Sequence, residues 1–344
     1  PAKKRRNLSI RTNAHVMRIE LEGKRATAVR YAVGGRHGAE TVVKARREII
    51  LSAGTINSPH ILQLSGIGSK GLLDELGIQV KHHLPGVGEN LRDHYAPRFT
   101  ARAKNIQTIN ELSRGPRLLA EIGKYLLGKQ SIVGLGPTLV YAFWHSDETV
   151  RNHDLQLTFA PASYKEGVQS QLDHEPGFTV ASWQQRPESL GWVKARSSDP
   201  FEKPRIQPNY LSADEDKRIL LAGMKLCRRL MHTPELSYYL DYEDYPGEHI
   251  QSDDELLQVA RERGTTTYHL MGACRMGPDS DPTAVVDNKL RVKGIQGLRV
   301  ADASIMPTML SSNLNAGALM IGDKASDLVL GKEPLPPIMD AIQH

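Results

Sequence analysis

The chain has 344 residues, 40% of them hydrophobic, and a formal net charge of +5 at pH 7; that length supports a sizeable core in one large domain or two ordinary ones. Much of the positive excess sits in Lys3, Lys4, Arg5 and Arg6, and no aromatic-plus-basic recognition element accompanies it, so no nucleic-acid partner is expected. Two cysteines, Cys227 and Cys274, exclude a disulfide framework, and no apolar run approaches the roughly 20 residues of a spanning helix, which gives a cytoplasmic protein or one peripheral on a membrane as the expectation.

The chain opens without methionine, and residues 7–10 and 15–19 read at once as strand, as if it began within a fold. Two β-rich runs, NLSIRTNAHVMRIEL and RATAVRYAV, flank Glu22 and Gly23 and predict an antiparallel hairpin or meander. EIILS, residues 48–52, is a continuous apolar run of the kind found in a strand covered on both faces. It ends at Ala53 and Gly54. A helix should follow, with Ser58 as its cap, Pro59 in its first turn, Ile61, Leu62 and Leu64 on its apolar face and Gly66 as its stop. A short helix around 72–76 closes at Gly77, and the loop PGVGENLRDH occupies 85–94.

In the middle, strands are predicted at 155–159, 178–184, 191–196 and 205–209, separated by Pro, Gly, Ser and Asp, which suits an antiparallel sheet. Trp144, Trp183 and Trp192 fall in this region and read as packing residues. Ser212 with Glu215 and Ser252 with Glu255 are capping boxes that announce two helices, the second stopping at Gly264. Thr265, Thr266 and Thr267 then favour extended backbone and deliver Tyr268 and His269. A buried strand at 298–301 leads through a polar loop carrying Asn313 and Asn315 to a helix over 316–330, stopped by Gly331. Its buried face should hold Leu319, Met320, Ala325 and Leu328, opposite Asp323, Lys324 and Asp327.

Three distant segments look able to serve one site. In SAGTINSPHILQLSGIG, residues 52–68, a glycine turn ahead of a helix either brings backbone N–H groups to a polar ligand or merely reverses the chain. In TTTYHLMGACRMG, residues 265–277, His269 lies among small residues and is either bonded into the core or functional. In VADASIMPTMLSSNLNAGALMIGDKASDLV, residues 300–329, a strand ends in Asp302 and a polar loop opens onto a helix N-terminus. His82, His83, His94, His145, His153 and His174 show no ligand spacing, so no metal is expected.

Together with IQPNYLS at 206–212, DPTAVVD at 281–287, PGVGENLRDH and the YH…CRMG pair, these motifs resemble the glucose–methanol–choline (GMC) family of flavoprotein oxidoreductases over nearly the whole chain, most closely its choline dehydrogenase-like members. The resemblance implies FAD as cofactor and an α/β fold: part of an FAD/NAD(P)-binding domain joined to a substrate domain with an antiparallel sheet and flanking helices. It places cofactor-binding portions at 1–95 and 265–335, the substrate domain at 96–264 and a tail at 336–344. The family's GxGxxG segment, which receives the FAD pyrophosphate, does not occur here, so the resemblance implies that an amino-terminal segment must be supplied as a partner. It also implies that His269 and Asn315 face the substrate side of the isoalloxazine ring, that Val16 touches adenine through its backbone, that Ser52 lies near the adenosine, and that Tyr268, Ala301, Asp302 and Ala316 complete the cofactor contacts.

The implied reaction oxidises a primary alcohol to the aldehyde, His269 taking the hydroxyl proton while hydride passes to flavin N5. A choline-like, aliphatic or aromatic alcohol would each satisfy it. A choline-like cation would call for an aromatic cage or a carboxylate, with Glu166, Asp173 and the tryptophans as candidates. The alternatives are a lyase or light-driven decarboxylase on the same fold, or a non-catalytic binding or assembly fragment.

Overall fold

In a computed structural model, which describes residues 2–136, 138–165, 168–333 and 336, the strands Ala14–Glu22, Arg25–Val33 and Ala39–Lys44 form an antiparallel meander in sequence order. The strand Ile49–Leu51 pairs in parallel with Leu298–Val300, which lies at the far end of the chain. Between the sheets and the helix Gly54–Leu64, the side chains Ile19, Leu51, Ile61, Leu62, Leu298 and Val300 share one core with Ile321 and Ala325 of the helix Asn315–Leu330. The expected strand, glycine turn and helix are present. Gly54 makes the turn at φ 83°, a value that favours glycine.

Four expectations here are corrected. Residues 7–10 lie outside any strand, and the hairpin starts at Ala14. Ile50 is 45% exposed, so the parallel pair is not covered on both faces. The Gly54–Leu64 helix begins four residues before Ser58, whose buried hydroxyl donates to the Asp302 carboxylate at 2.5 Å instead of capping the helix. In the helix Asn315–Leu330, stopped by Gly331 at φ 67°, Ile321 and Ala325 are buried while Leu319 and Met320 stand 68% and 61% exposed.

The second core is built on a five-stranded antiparallel sheet in the order Val140–Trp144, Leu155–Ala160, Gly177–Gln184, Arg98–Ala103, Leu240–Tyr245. Side chains alternate across such a sheet, and directly opposed residues share a face. Leu155, Leu157, Phe178, Val180, Phe99 and Ala101 pack beneath Ile219, Leu220, Met224, Cys227 and Met231 of the helix Asp214–Met231. The register Phe143↔Gln156, Gln156↔Trp183 and Ala181↔Arg98 puts Phe143, Gln156, Trp183, Ala181 and Arg98 on the opposite face. That second face meets the candidate site.

Only two of the four strands predicted for this region join the sheet. Gly191–Lys194 pairs instead with Arg205–Gln207 on one side and Glu89–Leu91 on the other in a separate three-stranded sheet. The Ser252–Glu255 capping box forms, and Gly264 ends that helix. Ser212 does not cap: Ala213 takes that position, and the Ser212 N–H donates to the Ser189 hydroxyl at 3.0 Å. Glu166 and the tail beyond residue 336 lie outside the described residues. Among the described residues no helix is long and apolar enough to cross a membrane, and no group of histidine, cysteine and carboxylate side chains could hold a metal ion.

Candidate active site

The run of threonines delivers His269 by pairing. Thr265–Thr266 lies antiparallel to Tyr95–Ala96, and the Thr267 N–H donates to the His94 carbonyl at 3.1 Å. Tyr268, at φ 61° and 79% exposed, swings the chain so that the next N–H turns inward. The His269 N–H donates to one carboxylate oxygen of Asp93 at 2.9 Å, and the Tyr210 hydroxyl donates to the other at 2.5 Å. Asp93 is only 4% exposed. Burial raises its pKa, against the hydrogen bonds from Thr266, Tyr210, His269 and His94 that favour the charged form. The backbone of His269 is thus clamped from below.

Its ring is oriented by a chain of three polar groups. His94 Nε2 lies 2.8 Å from the Gln185 carbonyl, which can only accept, so this nitrogen carries the hydrogen and Nδ1 of His94 keeps its lone pair. His269 Nδ1 lies 2.9 Å from that lone pair and therefore bears the proton of the contact. Thr267 Oγ1 is also 2.9 Å from His269 Nδ1. Nε2 of His269 is left as the acceptor, and the Asn313 amide donates to it at 3.1 Å. The amide orientation of Asn313 is fixed in turn by Gln156, whose Nε2 donates to Asn313 Oδ1 at 3.1 Å.

Trp183 roofs the two imidazoles, its ring 6.1 Å from that of His94 and 6.3 Å from that of His269. Burial pushes His94 down to about 4 and holds His269 below the ordinary histidine value. Both rings are neutral at pH 7.

Asn315, expected beside His269, sits two residues beyond Asn313 on the first turn of the long helix, with its side chain exposed. It is Asn313 that reaches His269. Ser52, Ala301 and Asp302 lie just past the ends of the parallel pair, where the Ala301 N–H continues the ladder to Leu51 at 2.9 Å. Asp302 is engaged within the protein: its carboxylate accepts from Gly54 N at 3.0 Å, from Ser58 Oγ and from Ser304 N at 2.8 Å, stapling the two segments together. Val16 is half-buried in the first meander strand and Ala316 is exposed beside Asn315.

His94, Asp93, Gln156 and Asn313 are the site residues that sequence reasoning passed over. The signal for the first two was the Asp–His pair closing PGVGENLRDH. In the sequence His94 offers itself only as a candidate metal ligand without ligand spacing, and its partners, Gln185 and His269, stand far away along the chain.

A bound flavin fits these surroundings. The 16-residue helix Asn315–Leu330 starts without a side-chain cap, so its first N–H groups and positive dipole end are available to a negatively polarised ring. Ala316 adds little bulk there, and a side chain at Gly54 would meet nothing within 4 Å, which leaves room at the strand ends. Crevices outside the carboxyl ends of parallel strands are where α/β folds bind such cofactors.

Family models described as GMC oxidoreductase match residues 1–96 and 187–322. The mitochondrial choline dehydrogenase of Homo sapiens is 39% identical over 338 residues, 97% of this chain and 56% of that protein. The oxygen-dependent choline dehydrogenase of Photobacterium profundum is 37% identical over 342 residues, 98% of this chain and 58% of that protein. The chain thus spans less than two thirds of the length of these relatives. Among solved structures, formate oxidase superposes with a TM-score of 0.87 at 26% identity, over 96% of this chain and 62% of that one. Pyridoxine 4-oxidase from Mesorbium loti gives 0.81 at 26% identity, over 97% and 60%. The amino-terminal and carboxy-terminal family matches, the relatives along the whole chain and the shared α/β fold lead to one conclusion: this chain belongs to the GMC oxidoreductases, the flavoproteins whose cofactor is FAD.

Proposed function

We propose that this chain carries the substrate side of an FAD-dependent alcohol oxidation in which His269 is the general base. The observation that carries the reading is the tautomer chain: with His94 pinned by the Gln185 carbonyl, the lone pair of His269 faces outward on Nε2, at a ring that is neutral at pH 7. An alcohol hydroxyl in place of the Asn313 amide would give its proton to Nε2. Asn313 and Asn315, amide donors that cannot compete for that proton, would donate to the oxygen as negative charge develops. Trp183 covers the two imidazoles and keeps water from the far side of the base. When bound, FAD supplies the acceptor for the carbinol hydride.

In this reading Val16, Ser52, Tyr268, Ala301, Asp302 and Ala316 border the cofactor. Residues 1–95 and 265–335 form its binding portions, and 96–264 the substrate portion. The choline named for the relatives is one of the alcohols to be tested.

The experiment is anaerobic reduction of the flavin-loaded enzyme by a primary alcohol. Replacing His269 with Ala should slow reduction by about 10²–10⁴-fold while flavin absorbance is retained. Unchanged reduction in that variant would refute the assignment.

A further inference from the structure

We infer that Arg98 selects the substrate: it receives the carboxylate of an alcohol that carries one at its far end, and it turns away alcohols with a quaternary-ammonium head. This rests on the reading of His269 as the base.

Arg98 opens the strand Arg98–Ala103 and stands opposite Ala181, so it shares the sheet face with Trp183. It is half-buried, and its Nη1 donates to the Ala96 carbonyl at 3.4 Å and to the Thr265 hydroxyl. Thr265 and Thr267 point to the same side of their extended segment, and the Thr267 hydroxyl touches His269 Nδ1 at 2.9 Å. Two residues of strand therefore separate the group that anchors the guanidinium from the group that contacts the base, a spacing of about 7 Å. The substrate hydroxyl sits at Nε2, on the other edge of the ring, so the carbon chain that joins it to the carboxylate must be longer than that gap.

Among the described residues no carboxylate pairs with Arg98; the ionisable groups that act on it are the phenols of Tyr164 and Tyr268. Asp173 and Asp244 are taken by Arg102 at 2.7 and 2.8 Å. Among the described residues Nε and Nη2 of Arg98 make no hydrogen bond, and neither is a sealed, buried atom. A half-buried cation without a counter-ion costs free energy that an incoming anion removes, and the planar fork of a guanidinium matches a carboxylate two bonds at a time. A trimethylammonium head brought to the same wall would meet a like charge and, among the described residues, no carboxylate paired with it.

The test uses the flavin-loaded enzyme and three alcohols of graded charge: 6-hydroxyhexanoate, hexanol and choline. We expect kcat/KM to favour the hydroxy acid over choline. Arg98→Gln, which can keep the bonds to Ala96 and Thr265, and Arg98→Met should each lower kcat/KM for the hydroxy acid by about 10- to 100-fold, the range for a hydrogen bond to a charged group. Hexanol should change by no more than a few-fold. Binding of non-reacting hexanoate, followed by titration calorimetry, should weaken in parallel. Equal ratios of the three alcohols in both variants and the parent enzyme, a parent preference for choline, or loss of flavin with the preference intact would each overturn the inference. If hexanoate binding depends on Arg98 but none of the alcohols reduces the flavin, the alcohol reading of His269 fails while anion recognition by Arg98 stands.

Discussion

The two sides of His269 are built differently. Behind it, Asp93, His94, Gln185 and Trp183 are at most 5% exposed, and the sheet they join is closed by the helix Asp214–Met231. By contrast, Tyr268 beside it is 79% exposed, and the long helix that follows Asn313 buries only Ile321 and Ala325, with Leu319 and Met320 at 68% and 61% exposure. The contrast teaches how the ring is presented: rigidity comes from one side alone, where every polar contact is desolvated and fixed, and reactivity is offered toward the other. A base held only by surface contacts would sample several rotamers. This one has its tautomer, ring plane and backbone specified before any ligand arrives.

The largest test of that contrast is in packing. Leu220, 2% exposed in the closed core, should cost about 2–5 kcal/mol when replaced by Ala, whereas Leu319→Ala should stay within about 0.5 kcal/mol in urea unfolding. Equal costs would erase the distinction between the sides.

Next comes acid lability. Unfolded, His94 titrates near the ordinary 6.5; folded, it titrates near 4. The unfolded chain therefore binds the proton first. The stability tied to a neutral His94 is complete above pH 6.5 and is lost as pH falls toward 4, about 3 kcal/mol in all, and His269 adds in the same direction. Urea midpoints measured between pH 7 and 4.5 should fall, and His94→Gln should flatten that fall. If the variant loses as much stability as the parent, His94 is not its source.

The smallest expected effect is kinetic. His94→Leu removes the acceptor for His269 Nδ1–H and should lower kcat by about 10- to 100-fold with flavin retained, while His94→Gln, which can accept from His269 and donate to Gln185, should recover most of it. A leucine variant with parental turnover would show that the tautomer needs no such support.

Much of the front side was legible in the sequence, because its signals are local. The apolar run before Gly54, the threonines before His269 and the stop at Gly331 each depend on neighbours within a few positions. The back side was not. The partners of His94 lie 91 and 175 residues away, and nothing near position 94 reports them. Ser58 looked like a cap because Pro59 follows it, but its hydroxyl is drawn to Asp302, 244 residues on. The strand Arg98–Ala103, in which buried Phe99 and Ala101 alternate with Arg98, Thr100 and Arg102, was passed over although its alternation is regular. Asn313 and Asn315 look alike in the sequence, but Asn315 opens the long helix while Asn313, bonded by Gln156, turns to His269.

The contact between His94 and His269 has a bearing on how a catalytic cycle would finish. Most imidazole bases lean on a carboxylate, which shares the positive charge once a proton is taken. Here the supporting group is a second neutral imidazole that resists protonation down to about pH 4. Among the described residues no carboxylate bonds the His269 ring, so the protonated imidazole would be a short-lived store rather than a resting place. In the proposed reaction its proton would leave from Nε2, the edge at which the alcohol hydroxyl gave it up.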